Sequence, residues 1–315
     1  MGQRGNYIIK TKDGIDIYYT HWRANLIAND LLLGKRKFID HIQQFEKRDE
    51  LINEPWIEGC VLVDLTIKKL LFYEIEQLSE YSLREAYLAI LKDKWPGWKI
   101  VYAEKEMYDI EKELSISYTK HQETNFNRIE IERLKNDEVS DYVACFIILK
   151  KDGQVALKKL YTGSDEEVAL VGEQLIDILQ NKPSSPLVKE SEIEIWDILL
   201  IDRDQKQLYV NQSITGLNEA LVDLWPNWKI EIGSFGYIKL LEVAGYDTTE
   251  LRMNQTEIDE HIKSILNYKD DFDPIKTAEK ILENHQDVKF HPSFFENIKP
   301  KKTLLDKIKS IFKKK

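Results

Sequence analysis

The chain has 315 residues, of which 43% are hydrophobic and 32% charged, with 8 prolines and 13 glycines. That length suits about two domains with cores of their own, and that composition excludes a collagen-like, low-complexity or wholly disordered chain. The net charge of -10 is unevenly divided: residues 299–315 carry +7, leaving -17 on the other 298, and so acidic a body repels nucleic-acid phosphates and favours basic partners.

No apolar run approaches the roughly 18 residues that a membrane span needs. The start, Met1 to Asn6, lacks the apolar stretch of a secretory signal. Gly2 suits myristoylation, but Asn6 stands where that motif needs Ser or Thr. Cys60 and Cys145 lie in apolar, strand-like runs, so reduced core thiols and a cytosolic location are expected.

In chain order, Tyr7 to Tyr19 alternates around Asp13-Gly14, which predicts a β-hairpin. Leu31, Phe38, Ile42 and Phe45 predict one helix from about Asn29 to Asp49. Cys60 to Tyr73 reads as a second hairpin turning near Asp64 to Lys68. Ser82, with Glu85 three residues on, reads as the capping box of a helix through Lys92 that Pro96-Gly97 stops. Lys99–Ala103 follows as a strand and Met107–Leu114 as a helix.

The same order then recurs. Tyr142 to Tyr161 is a hairpin around Asp152-Gly153, Asp165 caps a helix to Gln180, and Glu192 to Val210 is a hairpin turning near Asp202 to Asp204. Leu217–Leu224 is helical, Ile230–Ile232 is a strand and Tyr237–Val243 a helix. Trp225-Pro226-Asn227-Trp228-Lys229-Ile230 repeats Trp95-Pro96-Gly97-Trp98-Lys99-Ile100 at five of six positions. The two Asp-Gly turns are 139 residues apart, Asp64 and Asp202 are 138 apart, and the Trp-Pro motifs 130. Slowly drifting offsets with element order kept are what a tandem duplication with one shortened loop produces.

The expected fold is therefore α+β, two copies of a hairpin-helix-hairpin-helix-strand-helix unit. Each has an antiparallel or mixed sheet, with helices expected on one face. The divisions expected are 1–115 for the first copy, 116–140 for a linker that is either a loop or holds one exposed strand at Ile129 to Ile131, and 141–247 for the second copy. Residues 248–298 form a helical extension, with Thr256 starting one helix and Asp273-Pro274 another. These helices are expected to pack on the second copy or to bridge the two. Residues 299–315 form a basic amphipathic tail.

In that tail Leu304, Leu305, Ile308, Ile311 and Phe312 make one apolar stripe. Lys301, Lys302, Lys307, Lys309, Lys313 and Lys314 supply the basic surround. Such a segment suits a membrane surface or a partner, nucleic acid included, and equally suits docking on the chain's own body.

Arg4-Gly5-Asn6, the pair His21-Trp22 and Trp95-Pro96-Gly97-Trp98 together resemble a family of uncharacterised bacterial proteins sharing these three features. The resemblance covers roughly residues 1–115 and implies no assigned activity. The family carries glycine after the His-Trp pair, where this chain has Arg23, and the second copy lacks the pair.

His21 is the local candidate for a base or, with Arg23 and Arg4, for a phosphate site. A packed tryptophan beside a hydrogen-bonded histidine is the competing reading. Trp95, Pro96, Trp98, Trp225, Pro226 and Trp228 are expected to be structural, because they recur in both copies. Asp64 and Asp202 suit hairpin turns. Zinc, P-loop, dinucleotide and nucleophile-elbow motifs are all lacking, so no metal or cofactor is expected. Three functions follow. The first is a non-catalytic protein-binding module, in its specific form an acidic immunity- or antitoxin-like inhibitor of a basic partner. The second is an enzyme or small-molecule sensor using a pocket near His21 and Arg23. The third is a membrane-surface or nucleic-acid adaptor acting through the tail.

Overall fold

The computed structural model describes residues 3–52, 57–116, 126–195, 197–211 and 216–268. The protein is a tandem α+β duplication. The first copy holds strands β1 Gly5–Lys10, β2 Ile15–Thr20, β3 Glu46–Arg48, β4 Gly59–Asp64, β5 Lys69–Glu74 and β6 Lys99–Tyr102, with helices α1 Ile27–Leu31, α2 Lys35–Ile42, α3 Tyr81–Lys94 and α4 Met107–Leu114. After α5, Ile131–Lys135, the second copy holds β7 Cys145–Lys151, β8 Gln154–Leu160, β9 Ile198–Asp202, β10 Gln207–Val210 and β11 Lys229–Ile232. Its helices are α6 Asp165–Ala169, α7 Leu175–Gln180, α8 Leu217–Val222 and α9 Tyr237–Val243, and α10, Gln255–Asn267, follows.

The two sheets have one topology. The first runs β3-β2-β1-β4-β5-β6 and the second β11-β10-β9-β7-β8, which is the same order once the edge strand β3 is set aside. In each, two antiparallel hairpins meet through a parallel central pair, β1 with β4 and β7 with β9. A crossover helix then adds a parallel last strand, β6 on β5 and β11 on β10. The sheets are thus mixed, as parallel neighbours joined by helices require.

The second sheet is covered on both faces, which corrects the expectation of helices on one. Along β7 and β9 the side chains alternate with the period of two that a pleated strand imposes. Ile147, Leu149, Leu199 and Ile201 pack with α6, α7, α8 and Trp225, while Phe146, Ile148, Ile198 and Leu200 pack with Tyr237, Ile238 and Leu241 of α9. Ile129 and Leu134, on either side of the start of α5, are buried in the same core as Trp225. Of the two alternatives for this segment, the strand at Ile129 to Ile131 is not formed: Ile131 opens a helix.

Both long helices expected after the first hairpins are interrupted, each at a glycine in the left-handed region. Gly34 (φ 75) separates α1 from α2, and Gly172 (φ 80) lies between α6 and α7. A Cβ at either position would press on a backbone carbonyl, Lys94 O at 3.0 Å or Leu224 O at 2.8 Å, so close approach as well as φ requires glycine there.

Several caps also differ from expectation. Ser164, not Asp165, caps α6 through a box with Glu167. Ser82 lies inside α3, whose N-cap is Glu80. Asn254, not Thr256, caps α10, accepting from Thr256 N at 2.9 Å and Glu257 N at 3.1 Å.

The α10 segment bridges the copies. Its Ile265, with Met253 just before it, joins the first core. Arg252 pairs with Glu85 of α3 at 2.6 Å and with Glu242 of α9. The helix expected from Asp273-Pro274 and the basic tail, Lys301 to Lys314, lie outside the described residues. No described helix is long and apolar enough to cross a membrane.

Candidate functional site

A cleft of about 540 Å³ lies between the two copies. It forms where both copies bring the C-terminal ends of their parallel edge pairs together: Glu74 ends β5, Tyr102 ends β6, Asn211 follows β10 and Ser234 follows β11. Clefts at the carboxyl ends of parallel strands are the usual ligand sites of sheets with helical crossovers.

Arg84 ties the walls. It projects from α3, is almost fully buried, and lies 4.1 Å over the Tyr102 ring. Its guanidinium donates to Leu78 O at 3.1 Å, to Ser79 O at 3.3 Å and, across the copies, to Ser234 O at 2.7 Å. Ser234 in turn donates from its backbone to Glu104 O at 2.6 Å and from its hydroxyl to Glu106. Gly233 permits this approach, because a Cβ there would sit 2.6 Å from Glu104 O.

The other charged residues of the lining are acidic. Glu74, Glu76, Glu80, Glu106, Glu190 and Glu194 face the cleft, and among the described lining residues Arg84 is the one cation. Glu74 ends a strand whose preceding residues are apolar and buried. One of its oxygens accepts from Glu76 N at 3.2 Å and Gln77 N at 2.8 Å, while Oε1 has no hydrogen-bond partner. Burial pushes its carboxyl up to about 7, against the pull of those amides and of Arg84. Glu190 accepts from Ser82 N across the copies at 3.3 Å, and burial raises it too. Ile57, Ile75, Ile193 and Ile195 add apolar surface between the carboxylates.

His21 and Arg23 do not share a partner. His21 Nδ1 lies 2.7 Å from the Tyr19 hydroxyl, and its ring packs against Trp22 with centroids 4.5 Å apart. Burial and then the charge of Arg4 hold its imidazole below the usual range. Arg23 turns instead to buried Asp30, at 2.8 Å, which His41 Nε2 approaches at 3.5 Å. None of Arg4, His21 and Arg23 lines the cleft.

The motif tryptophans occupy equivalent places in the copies. Trp95 Nε1 donates to Leu31 O at 2.9 Å and Trp225 Nε1 to Ala169 O at 2.8 Å, both rings buried. Trp98 and Trp228 stand edge-on to them at 5.2 and 4.9 Å. Asp64 and Asp202 each take a lysine, Lys10 at 3.1 Å and Lys150 at 3.0 Å, beside their hairpin turns.

Sequence reading missed the cleft because its residues come from both copies, from Ile57 to Tyr237. The usable signal was Glu74, a carboxylate directly after the apolar run Leu70 to Tyr73. A second carboxylate group, Asp165, Glu166 and Asp197, lies in the second copy and does not line the cleft. Comparisons with known protein families, with curated proteins and with solved structures return no match.

Proposed function

We propose that the protein is a non-catalytic binding module whose inter-copy cleft receives a basic segment of a partner protein. The observation that carries this reading is the acidic lining of the cleft: six glutamates line it, two of which, Glu74 and Glu190, burial raises, and its one arginine is saturated by three carbonyl oxygens. A lysine or arginine side chain suits such a lining. Its aliphatic stem fits the isoleucines and its head the carboxylates. The -17 carried outside the tail works in the same direction, since an acidic body speeds encounter with a basic partner. An inhibitor that masks a basic active site is the specific form of this function.

The test is calorimetric titration of the full chain with lysine- and arginine-rich peptides at two salt concentrations, against acidic peptides of the same length. Saturable binding is expected for the basic peptides alone, weakening as salt rises. The combined variant Glu76→Gln, Glu80→Gln, Glu194→Gln at the rim is expected to lose at least about tenfold in affinity, since each lost charge-assisted contact costs roughly 1 kcal/mol or more. Equal affinity for acidic peptides, or binding unchanged in the variant, would overturn the reading.

A further inference from the structure

One place in the fold differs in chemistry between the copies. Helices α1 and α6 are equivalent, because Trp95 donates to the last residue of one and Trp225 to the last residue of the other. Counted back from there, Ile27 and Ala28 stand where the second copy has Asp165 and Glu166. Asp64 and Asp202 correspond at the far ends of β4 and β9, so Gly59 stands where the second copy has Asp197.

In the first copy this place is an apolar contact. Ile27 Cδ1 lies so close over Gly59 that a Cβ on the glycine would be 2.5 Å from it. In the second copy it is a meeting of carboxylates. One oxygen from each of Asp165, Glu166 and Asp197 lies within 4.8 Å of the others. Asp165 is fully buried, its Oδ1 accepts from Glu166 N at 2.8 Å, and its Oδ2 has no hydrogen-bond partner. Glu166 Oε2 has none either. The first copy builds the same fold with isoleucine, alanine and glycine, so the architecture does not call for these acids. Gathering three carboxylates, one buried and two half-buried, is costly unless a positive charge joins them.

We propose that Asp165, Glu166 and Asp197 form a binding site for a hard divalent cation, calcium in preference to magnesium, that clips the start of α6 to the head of β9. All-oxygen donors select the hard cations. The three oxygens lie within 4.8 Å of one another, no wider than the roughly 4.6–5.2 Å between oxygens opposed across calcium, and calcium takes several carboxylate ligands where magnesium keeps several of its waters. Backbone carbonyls or waters would complete the shell.

The test uses the full chain stripped with EDTA, then titrated with calcium chloride and separately with magnesium chloride, followed by heat of binding and thermal melting. A saturable one-site heat with calcium is expected, with magnesium weaker. At about ten times Kd, calcium should raise Tm by roughly 2–4 °C. Near-isosteric Asp165→Asn and Asp197→Asn should each abolish that rise. Should either fail to fold, the combined variant Asp165→Ile, Glu166→Ala, Asp197→Gly, which installs the first copy's residues, is expected to fold and to show no calcium heat. No heat and no Tm rise in the unaltered protein at millimolar calcium would overturn the proposal. So would a calcium response surviving in the combined variant.

Discussion

Placed side by side, the two copies share their pins and differ in what those pins hold. Both fasten the first crossover helix through a tryptophan Nε1, at Leu31 and at Ala169. Both break that crossover at a left-handed glycine, and both pair a buried aspartate with a lysine on the neighbouring central strand. Even the hairpin residue with positive φ recurs, Lys68 at 54° and Lys206 at 52°. Against this constant frame, Ile27 over Gly59 becomes Asp165 beside Asp197, and a strand, β3, edges only the first sheet. Recurrence therefore marks scaffold, and departure from it marks the places where the copies have separate work.

The largest effect should come from the shared pins. Trp95→Ala and Trp225→Ala each remove a fully buried ring and one of the two donors to a helix-end carbonyl, which keeps Gly34 N or Gly172 N. Each should destabilise by about 3–5 kcal/mol. Urea unfolding of the two variants would measure this, and near-equal losses are expected. A Trp225 variant losing much less would mean that the copies are held differently, and the comparison would break.

The pins were legible before any coordinates because they are written locally. An Asp-Gly turn between alternating strands and a Trp-Pro step after a helix need no distant residue to be recognised. The helix breaks were not read, because the apolar spacing of Leu31, Phe38 and Ile42 continues smoothly past Gly34. Gly34 itself breaks the helix with its positive φ, and the carbonyl of Lys94, 60 positions away, leaves little room there for a side chain. The cleft was hidden because its parts are far apart in the chain: Glu74 and Glu190 line one cleft where α3 and α9 pack across the copies. Asp165 looked like a helix cap, which aspartate often is. Only setting it against Ile27 shows that it stands where a core residue belongs.

A second effect sets the cleft apart from the frame. The Glu74 carboxyl sits at about 7 in the folded protein against 4.5 ordinarily. Below pH 4.5 both folded and unfolded chains hold the proton and its contribution is complete. Between 4.5 and 7 the folded chain keeps a proton that the unfolded chain releases, so stability falls as pH rises, and above 7 the contribution is gone. The swing is about 3 kcal/mol, a full burial penalty in a group that is hardly exposed. Glu74→Gln should flatten this part of the profile and be more stable than the parent at pH 8. Unfolding in urea at pH 5, 6, 7 and 8 checks it, and parallel profiles for the two proteins would mean that Glu74 ionises normally.

The lysine pins sharpen the comparison further, since they are equivalent but unequally backed. With Lys10 removed, one oxygen of Asp64 still accepts from Thr66 N, Thr66 Oγ1 and Ile67 N at 2.8, 2.5 and 3.3 Å. Asp202 keeps Gln205 N at 3.0 Å. Lys150 is also the more buried lysine. Lys150→Met should cost about 2 kcal/mol and Lys10→Met about 1 kcal/mol, because a buried carboxylate with fewer remaining donors is the costlier orphan. Equal losses in thermal or urea unfolding would show that the hairpin turns do not share the load.

The smallest effect comes from the one position where the repeated Trp-Pro motif changes. Gly97 has φ 77 and Asn227 has φ 66, so the backbone requirement is the same and only the residue differs. Glycine enters the left-handed region without a Cβ clash, and asparagine is the side chain that tolerates it next best. Nothing lies within 4 Å of a Cβ placed on Gly97, so that residue is glycine for its φ and not for room. Asn227→Gly should therefore stabilise by about 0.5 kcal/mol or less, and Gly97→Ala should cost about 1 kcal/mol without disturbing any neighbour. If Gly97→Ala instead proves neutral, the two motifs do not impose the same turn in solution, and the equivalence of the copies would fail at its best-matched segment.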